Sequence, residues 1–182
     1  MKKALSCSLL VILATMAFGA DAKLARTGEA PVVHFNASGP AGLKIVGTTS
    51  DLSTDGDDKV IKVIVPLGNM TTGISLRDKH MREKYLQVGT YPNATFEVPR
   101  ANIKFPAAGA EASGDAQGTL TIHGQSKPTT AKYTARKNGD VYAVKGTMHV
   151  NIKDFGIEVP SYLGVTVKPD IDIDVQFSAK DQ

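Results

Sequence analysis

The chain has 182 residues, 42% of them hydrophobic, and a formal net charge of +3. That length allows one domain with a real core, and the charges are too balanced and too scattered to argue for nucleic acid as a partner. The one cysteine, Cys7, lies close to the N-terminus, so residues 23–182 hold no disulfide, no thiol nucleophile and no Cys metal ligand.

Lys2 and Lys3 precede an apolar run over 4–18, and Ala20-Asp21-Ala22 puts small residues where a signal peptidase cuts. This predicts a signal peptide over 1–22 and one domain over 23–182, with a periplasmic or secreted product. The run is too short to span a bilayer as a helix, since about 20 apolar residues are needed. Cys7 falls inside the run and too early for a lipoprotein anchor.

The rest of the chain alternates as strands do. Residues 32–35 and 43–49 read as the first two strands. Asp55-Gly56-Asp57-Asp58 carries the Asp-Gly signature of a hairpin turn. A strand over 59–66 follows, with Ile61, Val63 and Val65 on one face. Residues 94–98 form another strand, with Phe96 and Val98 on one face, and Ile103 and Phe105 continue the pattern beyond Pro99. Residues 106–118 are rich in Ala, Gly and Ser and read as a surface loop. Residues 118–123 are strand, with Leu120 and Ile122 inward. Ser126-Lys127-Pro128 reads as a turn into a strand over 129–136, where Ala131, Tyr133 and Ala135 alternate with polar residues. Asn138-Gly139 is the strongest hairpin signal. The return strand, 141–152, puts Tyr142, Val144, Met148, Val150 and Ile152 on one face. The last strand sets Ile171, Ile173, Val175 and Phe177 against Asp170, Asp172 and Asp174.

One stretch, 68–96, breaks the alternation. Ser75 is placed to cap a helix, and Asp78 three residues on completes a capping-box spacing. Asp78 and Arg82 are spaced to pair, Met81, Tyr85 and Val88 form an apolar stripe, and Gly89 is placed to stop the helix. The pattern is therefore all-β, about eight antiparallel strands with one short helix. Both a sandwich and an up-and-down barrel fit it. Small inward residues such as Ala131, Ala135 and Gly146 lean towards a barrel with space inside.

Three blocks carry a family resemblance: TTGISLRDKHMREKYLQVGTYPNATFEV, GTLTIHGQSKPTTAKY and GTMHVNIKDFGIEVP. With Arg77-Asp78-x-His80, Tyr91-Pro92, Gly118-x-Leu120-x-Ile122-x-Gly124 and Asp154-Phe155-Gly156-Ile157, the stretch 68–177 resembles the YceI-like family of lipocalin-like, polyisoprenoid-binding proteins. The resemblance implies an eight-stranded antiparallel lipocalin-like barrel with one short helix near one end. It also implies an exported binding protein, not an enzyme, that holds a long-chain lipid such as an isoprenoid quinone in an apolar tunnel and needs no cofactor. On that basis the polar end of the ligand would meet Arg77, Asp78 and His80. The tunnel wall would include Phe96, Leu120, Ile122, Tyr133, Val144, Met148, Ile171 and Ile173, and Phe155 would also bind the ligand. The reading admits a homodimer and transient contact with a membrane. Its rival is a packed barrel that binds a protein partner and no lipid.

Other chemistry finds little support in the pattern. Asp78 and His80 are two apart and do not face each other on a helix, and no nucleophile motif accompanies them. His34, His80, His123 and His149 lack metal-site spacing. Asp170, Asp172 and Asp174 are about 6.6–6.8 Å apart along a strand, too far for a compact Ca²⁺ site, and read as a solvated exterior.

Overall fold

The computed structural model describes residues 23–162 and 164–182; the expected signal peptide, 1–22, lies outside them. Strands β1 (Leu24–Ser38), β2 (Lys44–Thr49), β3 (Ser53–Gly56) and β4 (Val60–Pro66) come first. Helix α1 (Ser75–His80) and a π turn (Met81–Tyr85) then precede β5 (Asn93–Pro99), β6 (Glu111–Ile122), β7 (Gln125–Asn138) and β8 (Val141–Asn151). A short hairpin, β9 (Ser161–Tyr162) and β10 (Val165–Thr166), leads to β11 (Asp170–Asp181). Nine strands form one antiparallel sheet in the order β2-β1-β11-β8-β7-β6-β5-β4-β3.

The two edges of that sheet, β2 and β3, are consecutive in the chain and separated only by residues 50–52. They are two halves of one broken strand. The upper half pairs with β1 and the lower half with β4, so the sheet curls into the expected eight-stranded barrel. Where β2 leaves β4 unpaired, the segment after β4 fills the seam. Thr48 and Thr71 exchange both backbone hydrogen bonds, at 2.8 and 3.0 Å. Leu52, Leu67 and Met70 are buried beneath that bridge in a small cluster of their own.

The sequence underestimates β structure in two places. The first strand begins at Leu24, because a bulge between Thr27 and Val32 lets pairing with β11 resume across Gly28. The supposed loop 106–118 is strand from Glu111 onwards. Its small inward residues make room for aromatic rings. A Cβ at Gly118 would sit 2.3 Å from the Glu97 carbonyl oxygen and 2.9 Å from the Phe96 ring. Composition reads such a stretch as a loop, and only the neighbouring strands make it a wall.

The turns also move. Ser126-Lys127-Pro128 is strand, and the reversal is at His123-Gly124, both with positive φ (52° and 72°). The next hairpin turns at Gly139-Asp140, one residue beyond the Asn138-Gly139 position, with Asn138 paired to Val141. Asp55-Gly56 belongs to β3, and the turn follows, with Asp57 Oδ1 accepting the amides of Lys59 and Val60 at 2.8 Å.

Inward residues of all the long strands form the main core cluster. Outside, Asp170, Asp172 and Asp174 are offset by neighbours on adjacent strands. Asn151 donates to Asp170 at 3.1 Å, His149 Nδ1 lies 2.8 Å from Asp172, and Asn36 donates to Asp174 at 2.8 Å. The hydrogen bond to Asp172, together with the carboxylate charges, raises the His149 pKa above its ordinary 6.5.

Candidate functional site: an apolar cavity with one finished end

Small residues on consecutive strands, among them Ala116, Ala131, Ala135 and Gly146, keep the lumen from filling. What remains is a cavity of about 730 Å³ whose lining is almost wholly apolar. On β8 its wall runs from Tyr142 to Val150. That is ~27 Å along the strand, or roughly 20 Å along the axis of a barrel with tilted strands.

The lower end, where β1 begins and β11 finishes, is plugged. After β5 the chain turns inward, and Ile103 and Phe105 reach the cavity from irregular backbone rather than from a continued strand. The Phe105 ring meets Tyr142 edge-on at 5.6 Å, and the Arg100 guanidinium lies 4.6 Å from its centroid on another side. Arg100 is ion-paired with Asp181, which accepts from the Tyr142 hydroxyl at 3.2 Å. The Lys104 amide donates to the Tyr133 hydroxyl at 2.6 Å, and Asn102 donates to the Gln117 carbonyl at 2.9 Å. Most polar tips of these wall residues are thus partnered across the floor, while Arg100 Nη1 is buried without a hydrogen-bond partner.

The upper end is framed by α1, the β9–β10 hairpin and the turn before β2. Thr72, Ile74, Leu76, Arg77 and His80 border the cavity on one side, and Leu43, Pro160 and Val165 on the other. Ile74 and Leu76 remain 52% and 54% exposed there.

The helix is held differently from its expected capping box. Ile74 is the N-cap and no side chain caps it. Asp78 instead turns back under the preceding loop, 5% exposed. It accepts from the Thr71 hydroxyl at 2.5 Å, from the Thr72 amide at 2.7 Å and from the Thr72 hydroxyl. Burial alone would raise its pKa. The Thr71 and Thr72 hydrogen bonds and the Arg82 charge outweigh burial and hold it below the ordinary 3.8. Arg82 itself donates to the Met70 carbonyl at 3.1 Å rather than pairing with Asp78. Arg77 donates to the Thr72 hydroxyl and carbonyl at 2.7 and 2.8 Å. Gln87, at φ 47°, reverses the chain before Gly89 is reached. The π turn brings the Leu86 amide to the Met81 carbonyl, and this extra residue adds Leu86 to the inward stripe of Met81 and Tyr85.

Of the residues expected to contact a ligand, Arg77, His80, Phe96, Leu120, Ile122, Tyr133, Val144, Met148, Ile171 and Ile173 border the cavity. Asp78 and Phe155 do not. Asp78 lies under the Thr71-Thr72 loop. Phe155 ends a 3₁₀ turn capped by Asn151 and is 3% exposed in the packed core above the wall, with its carbonyl 3.2 Å from His123 Nδ1. Phe35, Ile45, Leu86 and Tyr142 also line the cavity. Period-two alternation pointed to Tyr142, but nothing local marked Phe35 as a wall residue. Among the described residues no group of three or more His, Cys, Asp or Glu side chains could hold a metal ion.

A chain folded in this way has known counterparts. A family profile described as YceI-like domain matches residues 28–179. The chain belongs to the YceI-like family. A UPF0312 protein of Pseudomonas savastanoi pv. phaseolicola is 30% identical over 96% of this chain and 93% of its own length. Among solved structures, a polyisoprenoid binding domain from Saccharophagus degradans superposes with a TM-score of 0.74 at 17% identity, over 87% of this chain and 98% of that one. Burkholderia cenocepacia BcnA superposes with 0.63 at 18% identity, over 81% and 96%. At such identities the structural likeness speaks for the fold alone. For a YceI-like chain, the family match also extends the resemblance to β1 and β2, upstream of the motif-bearing blocks.

Proposed function

We propose that this YceI-like protein is an exported carrier that sequesters a long-chain amphiphile, an isoprenoid quinone or polyprenyl lipid, and performs no reaction on it. The observation that carries the reading is the cavity: long, apolar, plugged by polar interactions below and bordered by exposed aliphatic groups above. Burying hydrocarbon is favourable by about 0.8 kcal/mol per CH₂, so the wall needs few specific contacts to hold a chain and discriminates poorly among chains. Discrimination then falls to the mouth, where Arg77 and His80 meet the polar end. Asp78 acts through Thr71 and Thr72 by fixing the helix that carries them. The family match and the polyisoprenoid-binding neighbour support the ligand class.

The test is to purify the chain from its native host, extract it with organic solvent, and compare the extract with native mass spectrometry of the intact protein. A stoichiometric long-chain species supports the carrier. A protein that is clean of lipid, and whose melting temperature ignores added quinones and polyprenols, overturns it in favour of a packed barrel that binds a protein partner. Export is tested on the same sample, whose N-terminal residue is expected to be Lys23.

A further inference from the structure

Among the described residues, five large aliphatic side chains are conspicuously exposed: Val32, Val46, Ile74, Leu76 and Val165. Val32 and Val46 do not border the cavity. Ile74, Leu76 and Val165 do, at the upper end and from both sides of it. The apolar lining therefore does not stop at the mouth but continues onto the outer surface. The same rim is basic. Lys44, Lys79, Lys84, Lys153 and Lys168 are exposed around it, whereas Arg77 and Arg82 are half-buried and donate to Thr72 and Met70. The opposing carboxylates are Glu83, Asp154, Glu158 and Asp170; Glu158 lies 3.5 Å from Lys84, and Asp170 accepts from Asn151. Asp78 is buried and contributes no exposed negative charge.

We propose that this end of the barrel docks on an anionic lipid bilayer, with Ile74, Leu76 and Val165 as shallow apolar anchors and the surrounding cations facing the head groups. Three aliphatic side chains make too small a patch for a stable protein interface, which buries about 800 Å² on each partner. They suit reversible interfacial binding, whose strength is apolar burial plus attraction of Lys and Arg to anionic lipid. The geometry also solves a transfer problem. A chain leaving the bilayer along Ile74 and Leu76 enters the cavity without crossing water. The plugged lower end offers no such path, and its floor presents hydrogen-bonded polar groups instead. The purpose of the dock rests on the carrier reading, whereas its detection does not.

The experiment is flotation of the full chain with phosphatidylcholine vesicles, with and without phosphatidylglycerol, at low and high salt. The chain is expected to float with the phosphatidylglycerol vesicles at low salt and to be released substantially by high salt. Ile74→Ser/Leu76→Ser is expected to lower the bound fraction about tenfold. Lys79→Glu/Lys168→Glu is expected to do so by a similar factor on phosphatidylglycerol vesicles only. Melting temperature serves as the folding control, and the exposed charge variant keeps the test open if the aliphatic one misfolds. Absence of flotation, or flotation indifferent to both variants, overturns the proposal. So does a dimer in sedimentation that disappears in Ile74→Ser/Leu76→Ser without vesicle binding, because the rim then packs on a second copy. Solvent extraction of the wild type reads the carrier separately: a chain that floats but holds no long-chain lipid retains the dock and loses the carrier.

Discussion

The two ends of this barrel start from the same problem: strands stop, and an apolar lumen must meet water. At the lower end Arg100, Phe105, Tyr142 and Asp181 lock into a floor in which the cation meets the ring and the carboxylate and the hydroxyl meets the carboxylate, with only Arg100 Nη1 among these groups left buried and unpaired. At the upper end the polar locking is displaced sideways. Asp78, Thr71 and Thr72 bond among themselves beneath α1, while Ile74 and Leu76 remain at the rim. Burying polar groups is tolerable only when they are paired. A floor can therefore be built from paired polar groups, whereas an entrance for hydrocarbon has to leave apolar groups unpaired with anything. The difference is between closing a cavity and supporting an entrance to it.

The comparison breaks most violently if its shared wall is charged. Leu120, 4% exposed and opposite Phe96 on β5, lies between the two ends. Leu120→Glu is expected to cost several kcal/mol or abolish folding, because an unpaired carboxylate in an apolar lumen is expensive; urea unfolding measures it. Near-wild-type stability would mean that the lumen is wet there.

Arg100→Ala attacks the floor. It removes the ion pair and the cation–π contact made by a side chain only 15% exposed, and leaves Asp181 with the Tyr142 hydroxyl as its remaining partner. A loss of about 1–3 kcal/mol is expected, with faster release of an apolar fluorescent probe from the cavity. A stability loss without faster release would show that Phe105 and Tyr142 close the floor by themselves.

Asp78→Asn attacks the support of the entrance. Thr71, Thr72 and the Thr72 amide all point donors at this side chain, and an amide offers one acceptor fewer, so about 1–3 kcal/mol is expected. The pH dependence has a definite sign. The folded-state pKa of Asp78 lies below 3.8, so its stabilising contribution is present above that value and is lost as pH falls through the folded pKa. The protection of the α1 amides, measured against their intrinsic exchange rates, should fall in acid in the wild type, and much less steeply in Asp78→Asn. The smallest effect belongs to the rim. Leu76→Ser should change stability by no more than about 0.5 kcal/mol, as thermal melts would show. A larger loss would mean that Leu76 packs in solution and is not free to meet a ligand or a surface.

Much of the wall was legible in the sequence. On β7, β8 and β11 the inward residues alternate with polar ones, and Tyr133, Val144, Met148, Ile171 and Ile173 all border the cavity as their parity requires. Asp78 and Phe155 were misplaced for a common reason. Both sit in motifs of the resemblance, but a motif gives spacing and not direction. Asp78 turned towards Thr71 and Thr72, and Phe155 was carried into the core by the 3₁₀ turn that precedes Gly156. The helix stop was missed because Gln87 takes a positive φ that composition assigns to Gly89. The strand over 111–118 was missed because Ala and Gly carry no periodic signal of their own.

The sequence by itself determined an antiparallel β fold with one-sided strands and a helical interruption after β4, because side-chain parity along a strand is a local property. Only the tertiary structure decided that β2 and β3 are one strand shared between two edges, that Thr71 seals the seam, and that one end is plugged while the other is bordered by exposed aliphatic side chains. Those outcomes depend on contacts between residues far apart in the chain, such as Arg100 with Asp181 and Thr48 with Thr71. No local pattern encodes them, since each partner's role exists only once the barrel has brought the other to it.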